Sequence, residues 1–87
     1  MGEDTVRCWL VERDYWDEDV VTLVYATPDG ELFHQRQLAA NLVFGLDVTA
    51  AKEFDREDLE QTPEADRERY ATEATKVRER HDPDETL

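Results

Sequence analysis

Residues 20–38, VVTLVYATPDGELFHQRQL, spell two β-strands around a tight turn. The first run is rich in β-branched and aromatic side chains, which suit a pleated, half-buried surface. Thr27-Pro28-Asp29-Gly30 breaks that run. Proline presets φ at the first central turn position, aspartate suits the second, and glycine accepts the positive φ that follows. The expected connection is a type I turn closed by a glycine bulge. With Pro28, Asp29 and Gly30 as the loop, Tyr25 faces Phe33 and Leu23 faces Gln35 on one side of the ribbon. On the other side Val24 faces His34 and Thr22 faces Arg36, since loop length fixes register.

Upstream, residues 5–16 (TVRCWLVERDYW) read as a further strand, with Asp17-Glu18-Asp19 as a three-residue loop. That loop pairs Trp16 with Val20, Val11 with Tyr25 and Leu10 with Ala26. Trp9, Val11, Tyr15, Val21, Leu23, Tyr25 and Phe33 then share one face, and Cys8, Leu10, Val20, Val24, Ala26 and Leu32 the other. A sheet wet on one side alternates cleanly between apolar and polar residues. This one carries large apolar groups on both.

Downstream, residues 38–46 (LAANLVFGL) fit a helical turn, a strand or a packed loop. Residues 47–54 alternate and are taken as a fourth strand. Residues 55–61 form a polar connection in which Leu59 anchors one helical turn. Thr62-Pro63-Glu64 then opens a helix: a capping hydroxyl, proline at the first helical position and acids in the first turn. The helix runs to about Arg80, with Lys76, Arg78 and Arg80 near its negative end, and His81-Asp82-Pro83 stops it. Its apolar stripe is narrow: Tyr70, Ala74 and Val77, with Ala71 beside it. The fold class is therefore α+β, an antiparallel meander of three to four strands followed by a C-terminal α-helix, in a single small domain 1–87 with residues 1–4 and 83–87 disordered.

Twenty-three acidic residues against ten basic ones leave a formal charge of −13, and only Lys52 and Lys76 are lysines. At multimolar salt the screening length falls to about 3 Å or less, so such a surplus is tolerated. In dilute solution it opposes the compact state. The acids are spread along the whole chain, which points to adaptation to concentrated salt rather than to an acidic tail that binds a basic partner. No basic stripe exists, and phosphate affinity collapses at high salt, so nucleic acid is disfavoured as a partner. No apolar run is long enough to cross a membrane, and MGEDTVRCW lacks the order of a signal peptide. These features lead to the expectation of a cytoplasmic protein. A single cysteine, Cys8, excludes an internal disulfide and reads as a small buried hydrophobe.

The segments YATPDGELFHQRQL, VTAA and RYATEATKVRERHDPD together resemble small acidic uncharacterised proteins of halophilic archaea. The resemblance covers most of the chain. It implies a salt-rich cytoplasm and carries over no activity or site residues.

Chemistry-bearing patterns are sparse. The chain has no serine, and its three glycines form no phosphate cradle. A Cys8–His34 pair would lie about two strands apart with nothing to orient the imidazole. His34 and His81 show no metal-ligand spacing, so no catalytic residue, cofactor or metal is expected. One polar row stands out: Glu12 with Asp14, Thr22, His34 and Arg36, brought together by strand alternation at one end of the sheet. Glu12, Thr22, His34 and Arg36 could hold a small anion; equally, they could form solvated ion pairs worth a few tenths of a kcal/mol each. The aromatics Trp9, Trp16, Tyr25 and Phe33 read either as core or as an interface, because one narrow helix cannot cover both sheet faces. The leading expectation is a non-enzymatic protein-interaction module, homodimeric through a sheet face or edge. The alternative is a small-ligand-binding or regulatory domain using the row around His34.

Overall fold

The computed structural model describes residues 5–17, 19–39 and 48–87, with side chains for all of these except 15–17. Five strands form one antiparallel sheet: β1 (Thr5–Asp17), β2 (Val20–Ala26), β3 (Leu32–Ala39), β4 (Ala51–Asp55) and β5 (Glu60–Gln61). A 3-10 turn (Arg56–Asp58) links β4 to β5, and helix α1 (Glu64–Arg80) follows. The α+β class and the C-terminal helix are as the sequence indicates. The strand count rises to five because the two residues of β5 pair Leu32 with Gln61 and Phe33 with Glu60. The fourth strand starts later than expected, at Ala51. Of the ambiguous stretch 38–46, Leu38 and Ala39 complete β3, and the remainder lies outside the described residues.

The turn chemistry is as read, but the loop is one residue longer. Gly30 N–H donates to the Thr27 carbonyl at 2.8 Å, and Gly30 has φ +75°. The Asp29 carboxylate then accepts from Glu31 N–H at 2.9 Å and from the Thr27 hydroxyl. With its N–H held inside the loop and its carbonyl accepting from Thr62 N–H, Glu31 cannot join the β2 ladder. Thr27 meets Leu32 instead. Every β2–β3 pair therefore moves by one: Tyr25 faces His34, Leu23 faces Arg36 and Val24 faces Gln35. Because side chains alternate, this slip exchanges the two faces of β3.

β1 departs in the same way. Glu12 faces Val24 and Asp14 faces Thr22, but an irregularity at Val11 puts Leu10 opposite Tyr25 and Trp9 opposite Ala26. At the other end Asp17, not Trp16, faces Val20. One extra residue in a strand is a bulge, and it moves everything beyond it to the opposite face.

The sheet order is β4-β1-β2-β3-β5. The two edge strands are thus consecutive in the chain, joined only by residues 56–59. Five Cα steps reach about 18 Å when fully extended, and a 3-10 turn shortens them. A flat sheet would hold its edges about 19 Å apart, so the sheet must curl. Its concave side gathers Cys8, Leu10, Val21, Leu23, Tyr25 and Val48, with Val6, Leu38, Phe54 and Leu59 at the margin. The Phe54 ring, on one edge strand, lies 4.5 Å from the His34 ring on β3 and 5.4 Å from that of Tyr25.

Helix α1 covers the convex side. Ala74 packs with Trp9, Ala50 and Ala51, while Tyr70 packs with Val24 and Ala26 and lies 6.0 Å from Phe33. The helix begins one residue later than expected. Thr62 spends its N–H on Glu31 and stays extended, so Pro63 takes the cap position and Asp66 N–H donates to its carbonyl at 2.9 Å. The Thr62 hydroxyl, meant as a cap, is buried without a protein partner. Beyond His81 the chain turns back, and residues 83–87, expected to be disordered, line residues 48–51. Ala51 N–H donates to the Pro83 carbonyl, Ala50 N–H to Glu85 and Leu87 N–H to Val48, at 2.8–2.9 Å.

Candidate functional site

A recess of about 310 Å³ opens on the concave side, lined by Leu23, Tyr25, Arg36, Leu38, Val48, Thr49, Lys52 and Phe54. Strand pairing explains its make-up. Leu23 and Tyr25 point inward from β2, and Arg36 sits directly opposite Leu23 on β3. Lys52 and Phe54 enter from β4, where they face Cys8 and Val6 of β1. The Tyr25 hydroxyl donates to the Thr49 carbonyl at 3.3 Å, and the Thr49 hydroxyl to the Ala51 carbonyl at 2.6 Å. These two bonds tie the segment before β4 over the sheet. Lys52 Nζ lies 5.9 Å above the Phe54 ring, within reach of a cation–π attraction.

The charged side chains among the described lining residues, Arg36 and Lys52, are both basic. Burial pushes the Tyr25 phenol above its ordinary range, and Arg36 and Arg13 pull it back down, which marks a positive field at that hydroxyl. Arg13 also donates to the Leu87 carbonyl at 3.0 Å. Three other basic side chains meet carboxylates: Arg69 with Glu12 at 2.8 Å and Asp66 at 3.2 Å, Lys76 with Glu73 and Arg7 with Glu53. Among the described residues, neither Arg36 nor Lys52 meets a carboxylate within ion-pair distance. His34 borders the recess through Phe54. Its Nδ1 is 3.2 Å from the Asp58 carbonyl, which can only accept, so Nδ1 carries the hydrogen and Nε2 is the acceptor of the neutral ring.

The polar row expected from sequence is split between the two sides of the sheet. Glu12, Asp14 and Thr22 stay together, as their pairing shows, and Glu12 is bound by Arg69 of the helix on the convex side. The register slip carries His34 and Arg36 through to the concave side. Of the expected interface aromatics, Trp9 and Tyr25 are each 4% exposed within one chain, Phe33 packs on Tyr70, and the Trp16 side chain lies outside the described residues. Lys52, Phe54 and Leu23 were not singled out from sequence. Their only signal was Lys52 itself, one of two lysines in the chain.

Cys8 is fully buried, and burial holds its thiol up at about 11, so it is a poor nucleophile at neutral pH. No group of three or more His, Cys, Asp or Glu side chains converges among the described residues. No helix among them is long and apolar enough to cross a membrane.

The sequence matches a family of unknown function (DUF7967) over residues 2–87. The chain belongs to that family. No curated protein and no solved structure matches it.

Proposed function

We propose that this DUF7967 chain is a small-molecule-binding module whose site is the recess on the concave side of the sheet. The carrying observation is the recess itself. A recess of about 310 Å³, open to solvent, lies beside Leu23, Tyr25 and Phe54 in a chain of only 87 residues. That volume is at the lower end of ordinary ligand sites, which favour an apolar lining and a few polar groups.

The competing interaction-module reading drew on apolar side chains on both faces. Within one chain Val21, Leu23 and Tyr25 are already 1–4% exposed and Trp9 is under the helix, which removes the need for a second copy to cover them. We further infer a working environment of concentrated salt, the cytoplasm of a salt-accumulating cell, on the strength of the dispersed −13 charge. Circular dichroism that shows unfolding as KCl is withdrawn would support that inference, and a fold indifferent to KCl would remove it.

The binding reading is tested by amide chemical shifts of the labelled protein against a panel of one- and two-ring compounds of both charge signs and neutral. Binding in the recess moves the resonances of Leu23, Tyr25, Arg36 and Phe54 together, with no change in molecular mass. If no compound moves them, or if light scattering shows a dimer whose interface covers them, the recess is not a ligand site.

A further inference from the structure

We infer that the recess is built for a small organic anion: one carboxylate-like group on a flat apolar body of one or two rings. This rests on the ligand-site reading and adds the chemical class. Arg36 and Lys52 belong to strands separated by β1 and β2 in the sheet order, so they approach the opening from two sides of the curl. Between them lies an apolar lining in which Phe54 is half-buried and Leu23 and Tyr25 show only 3% and 4% of their surface. A guanidinium offers a planar fork matched to a carboxylate, and an ammonium adds a mobile point charge.

Charge selects among ligands. A cationic molecule would have to displace two like charges. A neutral one would leave both cations near an apolar floor without a counter-ion. A large polyanion would extend past the recess and meet a surface on which acids outnumber bases by more than two to one. In concentrated salt the screening length falls to about 3 Å or less, so a compact anion in direct contact with Arg36 and Lys52 senses those cations and not the distant acids. The volume sets the body. About 310 Å³ admits one or two rings and no large cofactor, and Phe54 and Leu38 supply half-buried apolar lining for them.

The test uses three isosteric probes on the full chain: 2-naphthoate, 2-naphthamide and 2-naphthylmethylamine. Affinities come from chemical-shift titration at the lowest KCl concentration that keeps the chain folded, then at higher salt. The expected order is naphthoate tightest, at least tenfold over the amide, with the amine weakest and the margin shrinking as salt rises. R36Q and K52Q each weaken naphthoate about tenfold and leave the amide unchanged. R80Q, at the exposed end of α1, changes neither. Both recess residues are exposed, so their variants keep the fold, and circular dichroism checks this. Equal affinity for acid and amide, with recess resonances moving for both, overturns the anion class and leaves the ligand site standing. No recess response to any of the three overturns both.

Discussion

Gly30→Ala tests the joint between hairpin and helix. Gly30 has φ +75°, a conformation that costs an L-residue with a Cβ about 1–2 kcal/mol. The larger part is steric. A Cβ built there would lie 2.2 Å from the Arg67 carbonyl oxygen, 2.8 Å from Ala71 N and 3.0 Å from Ala71 Cβ. The first two are helix backbone and cannot rotate away. Relief requires the turn and α1 to part by about 1 Å, and a gap of that size forfeits a quarter to a half of the dispersion energy across the contact. The contact holds Tyr70 and Ala74 against Trp9, Val24 and Ala26, so a further loss of about 2–3 kcal/mol is reasonable. The expected total is about 3–5 kcal/mol, a large share of what a domain of this size possesses. Urea unfolding at fixed KCl, followed by helical circular dichroism, is the right assay; guanidinium chloride would change the screening as it denatures. Gly30→Asn separates the two costs. Asparagine tolerates positive φ but carries the same Cβ, so it should recover no more than about 1 kcal/mol. A loss below 1 kcal/mol for the alanine variant, or near-complete recovery with asparagine, would refute the claim that close approach to the helix demands this glycine.

Two further outcomes follow from charge and burial. Cys8, whose folded pKa of about 11 stands above the usual 9.0, keeps its proton in the native state while the unfolded chain loses it. Stability should therefore fall as pH rises from about 9 towards 11, and Cys8→Ala should flatten that slope; a thiol reagent that modifies the native protein as fast as the denatured one would contradict its burial. Glu12→Gln removes the Arg69 bridge, but both side chains are well exposed, at 34% and 53%. The loss should stay below about 1 kcal/mol and vanish in molar KCl, which double-mutant unfolding with Arg69→Gln can measure.

The sequence displayed the strands, the turn and the helix because each depends on local chemistry: β-branched runs, Pro28-Asp29-Gly30, and the acid-to-base polarity of residues 64–80. It did not display the pairing. Whether Glu31 begins the strand or ends the loop depends on the destination of its N–H. The Asp29 carboxylate captures that N–H, while Thr62, thirty-one residues away, takes the carbonyl. The bulge at Val11 is likewise a tertiary outcome with no glycine or proline to announce it. Thr62 shows the same limit at the helix start: a good cap residue gave up its backbone to the sheet. Arg36 could be named as a binding residue from sequence, but its companions could not. Lys52 and Phe54 arrive from an edge strand that reaches the recess only because the sheet curls.

The curl and the slip depend on one another, and together they make the recess. With the expected three-residue loop, Arg36 would have pointed to the side covered by α1, next to Glu12 and Thr22. There its charge would have been met by Glu12, as that of Arg69 is now. The fourth loop residue turns Arg36 inward, and the short link between β4 and β5 brings Lys52 and Phe54 round to face it. Arg36 stays exposed at the edge of the recess, and no described carboxylate lies within ion-pair distance of it. The chain has 23 acids, and none of the described ones lines the recess beside Arg36. The described lining therefore leaves room for a counter-ion from solution, and the anion titration reads the consequence of the register slip together with the binding.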